Sequence, residues 1–78
     1  MIMKITLYGT ESCQKCKRVK NFFEENQIKF EYIDVGKNKE EANKIIEKTG
    51  QRRVPVIGIN DEMIIGFDET KILKKLGL

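Results

Sequence analysis

The hydrophobic period of the chain changes abruptly at residue 13, and no other feature of the sequence constrains the fold as much. Ahead of it, Met3, Ile5 and Leu7 alternate with Lys4 and Thr6, the two-residue repeat of a strand with unlike faces. Gly9 to Ser12 read as a turn. From Cys13 onward, Cys16, Val19, Phe22 and Phe23 recur at three and four residues, a helical stripe that runs out near Asn26. Phe30, Tyr32, Ile33 and Val35 then form a second strand rich in aromatic and β-branched residues. Two strands joined through a helix cannot be a hairpin. They predict a parallel pair with a right-handed crossover.

The rest of the chain follows the same logic. Gly36 and Asn38 break the second strand, and Ala42, Ile45, Ile46 and Thr49 mark a second helix, with Gly50 placed as its C-terminal cap. Val54 to Ile59 and Glu62 to Ile65 are short apolar runs on either side of Asn60-Asp61, the pattern of a β-hairpin. Asp68 is placed to cap a last helix carrying Ile72, Leu73 and Leu76. The expected order is β-α-β-α-β-β-α, an α/β fold. It has a four-stranded mixed sheet with helices on both faces, in one domain over residues 1–78.

Composition excludes several functions. With 78 residues there is no room for a large multi-step active site, and with no histidine there is no imidazole chemistry. Apolar stretches such as Val54 to Asn60 fall far short of the ~20 residues of a membrane span. The residues after Met1 hold no signal-peptide core, so the cytoplasm is the expected compartment and no membrane partner is expected. The net charge is +3, with the basic excess in the first half, where Lys15, Lys17, Arg18 and Lys20 surround the cysteines. No aromatic residues are interleaved with that cluster, which argues against nucleic acid as a partner. The helical stripes demand no second subunit, so a monomer is expected.

Cys13 and Cys16 are the only cysteines. A bridge across two residues closes almost no loop and adds little by constraining the unfolded chain, so the pair is better explained by chemistry than by stability. Cys13 falls where a strand gives way to a helix, near unpaired backbone N–H groups that favour the thiolate over the thiol. Lys15 and Lys17, with Arg18, add positive charge within a turn, and Glu11 opposes them. Cys16, one turn further along the core-facing stripe, is expected to be the more buried thiol and to resolve a mixed disulfide formed at Cys13. Half of a zinc site would need a second chain, because four ligands are required and two thiols are present. An iron–sulfur cluster shared between two subunits is open on the same count.

Pro55, the only proline, stands at the start of the third strand, where it cannot donate a ladder hydrogen bond. It reads either as a strand-start proline or as a cis residue that turns the Val54 backbone toward an extended peptide or glutathione. Arg52 and Arg53 precede it and could hold a carboxylate in a forked contact.

Taken together, Tyr8-Gly9-Thr10-Glu11-Ser12-Cys13-Gln14-Lys15-Cys16, Val54-Pro55 and Gly66-Phe67-Asp68 resemble the glutaredoxin-like branch of the thioredoxin superfamily over essentially the whole chain. The resemblance implies a minimal thioredoxin-like fold and a thiol–disulfide oxidoreductase in which Cys13 is the nucleophile and Cys16 the resolving thiol. It implies a substrate platform of Val54 and Pro55 with Gly66 admitting the ligand backbone, and Arg53, Phe67 and Asp68 join these as candidate substrate- or glutathione-binding residues. No tightly bound cofactor and no metal are implied, glutathione being a co-substrate. The partners implied are disulfide-bearing proteins and a reductant, either glutathione or thioredoxin reductase.

Three departures leave that reductant open. Gln14 and Lys15 stand where typical glutaredoxins have proline and tyrosine. Thr10 replaces a lysine that binds a glutathione carboxylate, and Phe67 replaces the second of two glycines. The Gly66-Phe67 pair is similar to the NrdH-redoxins, glutaredoxin-shaped proteins served by thioredoxin reductase, although the tryptophan of that group is missing.

Overall fold

The computed structural model describes residues 4–51, 53–60 and 62–77. Its elements follow the expected order: β1 (Ile5–Gly9), α1 (Gln14–Glu25), β2 (Glu31–Asp34), α2 (Lys39–Thr49), β3 (Val56–Ile59), β4 (Glu62–Ile65) and α3 (Glu69–Leu76). They form one four-stranded sheet in the order β2-β1-β3-β4. β1 runs parallel to β2 and antiparallel to β3, and β3 runs antiparallel to β4.

Alternation along β1 sorts the two faces. Ile5 and Leu7 look toward α1 and α3, where they meet Val19 and Phe23 of α1, Ile57 and Ile59 of β3, Ile64 of β4 and Ile72 of α3 in one buried cluster. Phe23 has no exposed surface, and its ring lies 5.1 Å from that of Phe30. Phe22 extends the aromatic packing to Phe67, ring centroids 5.6 Å apart, edge to face. Thr6 and Tyr8 look the other way, into a polar groove that they share with Glu41, Lys44 and Lys48 of α2. Helices therefore cover both faces, but most of the apolar core lies on the side of α1 and α3.

The helix ends obey local chemistry. Asn38 caps α2 by accepting the Glu41 N–H at 3.2 Å, and Asp68 caps α3 by accepting the Lys71 N–H at 3.1 Å. Gly50 closes α2 at φ 73°, its N–H donating to the Ile46 carbonyl at 2.7 Å.

Three boundaries differ from the expectation. Phe30 and Val35 of the expected second strand flank β2 and lie outside it. Gly9 is the last residue of β1 and not part of the turn, and Val54-Pro55 precede β3 where they were expected to open it. Pro55 has no N–H for the ladder, so regular pairing begins at Val56, although the Pro55 carbonyl still accepts the Gly66 N–H at 2.8 Å. Met3 of the expected first strand, Arg52, and Asp61 of the expected hairpin turn lie outside the described residues.

Replacing Phe23 by alanine is expected to lower stability by ~3–5 kcal/mol, because the cavity would sit at the centre of the cluster. Chemical denaturation of the two proteins measures it. A shift below about 1 kcal/mol would show that the core is not organised around this ring.

Candidate active site

Cys13 is the N-cap of α1. Its backbone is extended, with φ −82° and ψ 109°, and its Sγ accepts the Cys16 N–H at 3.1 Å. Its own N–H donates to the Thr10 carbonyl at 3.2 Å, which holds the preceding turn closed. The sulfur therefore occupies the place where Asn38 and Asp68 put an oxygen in the other two helices.

The charge pattern around these caps differs in one respect. α2 carries Glu40 and Glu41 in its first turn and α3 carries Glu69, whereas the first turn of α1 holds no acid. In α2 and α3 carboxylates complement the positive end of the dipole. In α1 that end is left to the sulfur, which favours an anion there. Lys15, Lys17 and Arg18 are exposed on the same helix.

Cys13 and Cys16 are joined as a disulfide, with Cα atoms 5.3 Å apart. The two sulfurs are not equivalent. Cys13 is half-buried, while Cys16 is only 3% exposed. Gly9 makes the room: a Cβ added there would stand 2.7 Å from the Cys16 Sγ. Beside them the ring of Tyr32, on the edge strand β2, is 41% exposed.

Strand register brings the distant segments to this spot. The β1–β3 pairing sets Tyr8 opposite Val56, and beyond it Thr10 and Val54 line one groove. The Val54–Pro55 peptide bond is cis, the second of the two readings of this proline. On the far side of Pro55, Val56 pairs with Ile65, and the next step brings in Gly66 at φ 82°. A residue with a side chain would be strained at that φ. On the near side Gly9 pairs with Asp34, and the Val35 N–H donates to the Gly9 carbonyl at 2.9 Å.

The other expected platform residues divide. Arg53 is exposed directly before Val54. Asp68 is exposed but accepts the Lys71 N–H, and the Phe67 ring is turned back onto Phe22 and the core. The cap made by Asp68 is the one expected of it, whereas the packing of Phe67 is a structural role that its reading as a ligand contact did not include. Among the described residues, no group of three or more Cys, His, Asp and Glu comes together.

A further ion pair was not legible in the sequence. Lys37 Nζ lies 2.7 Å from Glu11 Oε1 and ties the loop before α2 to the turn before Cys13. The hydrogen bond and the charge of Lys37 hold the Glu11 carboxyl below its ordinary range. Because that value is depressed, the pair contributes above the carboxyl's unfolded pKa, about 4.3, and is lost as the pH falls through the folded value. Both groups are open to solvent, so the effect on stability is small. Its consequence is electrostatic, since it masks the one acid close ahead of Cys13.

A C-x-x-C disulfide of one half-buried and one buried cysteine, capping the first helix after a central strand, defines a thiol–disulfide oxidoreductase of the thioredoxin superfamily. Residues 5–64 match the Glutaredoxin family model. Glutaredoxin-like protein NrdH of Lactococcus lactis subsp. lactis is 34% identical over 70 residues, covering 90% of this chain and 96% of the relative. Glutaredoxin 3 of Escherichia coli is 26% identical over 73 residues, covering 94% and 88%. The crystal structure of a glutaredoxin from Archaeoglobus fulgidus superposes with a TM-score of 0.84 at 26% identity, over 96% of this chain and 87% of that one. The chain belongs to the glutaredoxin family.

Gly9→Ala is expected to push the Cys16 sulfur aside and to cost ~1–3 kcal/mol of stability. A denaturation midpoint equal to the parent's would show that the close approach relaxes freely. Lys37→Gln is expected to return the Glu11 carboxyl to the ordinary glutamate range, read by NMR titration of its side chain. A titration unchanged by the substitution would contradict the pairing.

Proposed function

We propose that this protein is a dithiol electron carrier that reduces disulfides of other proteins. The observation that carries the reading is the unequal pair, a half-buried Cys13 sulfur at the mouth of a helix and a buried Cys16 sulfur against it. In the reduced protein the Cys13 thiolate attacks one sulfur of a substrate disulfide. A Cys13–substrate mixed disulfide forms, and the other substrate sulfur leaves as a thiolate that takes up a proton. Cys16 then loses its proton and attacks the Cys13 sulfur, releasing the second substrate thiol and closing the Cys13–Cys16 disulfide. The substrate has gained two electrons and two protons, which the reductant must return.

Val54, Pro55 and Gly66 line the substrate side in this reading. The open space beyond the Gly66 Cα supports a close backbone approach there. The features that bear on the reductant favour thioredoxin reductase. Thr10 supplies no cation for a glutathione carboxylate, the Gly66-Phe67 pair is similar to that of the NrdH-redoxins although their tryptophan is missing, and a relative named NrdH matches along 90% of the chain. Glutathione is the second reading, favoured by the exposed Arg53 and Asp68, which could receive its carboxylate and its ammonium.

The test is NADPH-coupled reduction of a protein disulfide, run with thioredoxin reductase and, separately, with glutathione and its reductase. Turnover is expected in the first system and to be at least tenfold lower in the second, a difference of about 1.4 kcal/mol in activation free energy. Cys13→Ser is expected to abolish it, and Cys16→Ser to stall as a mixed disulfide visible by mass spectrometry. Equal residual activity in the two variants would contradict the assigned roles, and the opposite preference between systems would reassign the reductant.

A further inference from the structure

A groove of about 390 Å³ opens against α2, with Thr10, whose carbonyl accepts the Cys13 N–H, at one of its walls. Its lining comes from four separate parts of the chain: Thr10 from the turn before Cys13, Val35 from the end of β2, Ala42 and Ile46 from α2, and Val54 from the segment before β3. The surfaces are mainly apolar, and the exposed Lys39 stands among them at the start of α2.

Two of these residues belong to the redox site. The Thr10 carbonyl holds the Cys13 N–H, and Val54 forms the cis peptide with Pro55. The groove is thus continuous, through Thr10, with the backbone that holds Cys13. Apolar walls reward an apolar side chain and give nothing to a peptide that lacks one.

We infer that this groove is a specificity pocket for disulfide-bearing proteins in which a large aliphatic residue flanks the attacked cysteine. Glutathione is the contrasting occupant. Its cysteine is flanked by glycine on one side and by a γ-linked glutamate on the other, so it offers the groove no apolar side chain. The inference rests on the oxidoreductase reading above and names the substrate class of that same site. The cations near the site, Lys39 and Arg53, leave the walls apolar and act on the rest of the bound segment, where they favour an acidic residue further along.

The experiment measures the rate at which the reduced protein reacts with symmetrical disulfides of three end-blocked tripeptides, Leu-Cys-Gly, Gly-Cys-Leu and Gly-Cys-Gly, and with glutathione disulfide. In symmetrical disulfides attack at either sulfur gives one product, so the rates compare directly. One leucine peptide is expected to react roughly tenfold faster than Gly-Cys-Gly, the order of discrimination that an apolar pocket supplies. Glutathione disulfide is expected to fall with the glycine peptide. Ala42→Glu, which sets a carboxylate among the apolar walls, is expected to bring the leucine-to-glycine ratio close to one. Equal rates for the three peptides in the parent protein would overturn the groove assignment and leave the oxidoreductase reading standing. No reaction with any of the four disulfides would overturn both. A variant that kept the full leucine preference would move the pocket away from α2 and overturn the assignment as drawn.

Discussion

The hydrogen bond from the Cys16 N–H to the Cys13 sulfur is the contact on which the rest of the site depends. It makes the sulfur a helix cap, so in the proposed function folding α1 also prepares the nucleophile. Elsewhere in the chain this position is filled by Asn or Asp with acids in the turn behind it. At α1 the acids are missing and the cap is a thiol, a local weakness for a helix and an advantage for a thiolate. The helix recovers its stability on its other face, where Val19 and Phe23 are wholly buried.

The sheet turns that one helix end into a site. β1 is central, with β2 and β3 on either side, so the residues at its C-terminal end are neighbours of both. Gly9 pairs with Asp34 on one side, Val56 pairs with Tyr8 on the other, and the Pro55 carbonyl just before Val56 accepts the Gly66 N–H, although Gly66 lies more than fifty residues after Gly9 in the chain. Each suits its place by something it lacks. Gly9 has no Cβ to meet the Cys16 sulfur, Pro55 has no N–H to extend the ladder, and Gly66 has no side chain to oppose a left-handed backbone.

Much of this was legible in the sequence because it is written in short-range patterns. The change of period at Cys13, the cap at Gly50 and the capping aspartate at Asp68 each depend on neighbours within a turn. Cys16 was expected to be the more buried sulfur from its place on the core stripe, and the cis form was one of two readings of Pro55. What escaped depends on contacts between distant segments. Gly9 reads as a turn glycine until β1 is extended beneath α1 and Cys16 arrives above it. Glu11 and Lys37 are 26 residues apart and meet only because the loop after β2 folds back over the turn before Cys13. Phe67 reads as a ligand contact beside Gly66, yet its ring completes the aromatic packing against Phe22. The groove was invisible because four separate parts of the chain build it.

The central claim is that the reduced Cys13 sulfur is an anion near neutral pH because it caps α1. The pH dependence of Cys13 alkylation in the reduced protein measures this directly, with mass spectrometry to distinguish it from Cys16. The account predicts a midpoint well below the ordinary thiol value of about 8.5. A midpoint at or above that value would contradict it.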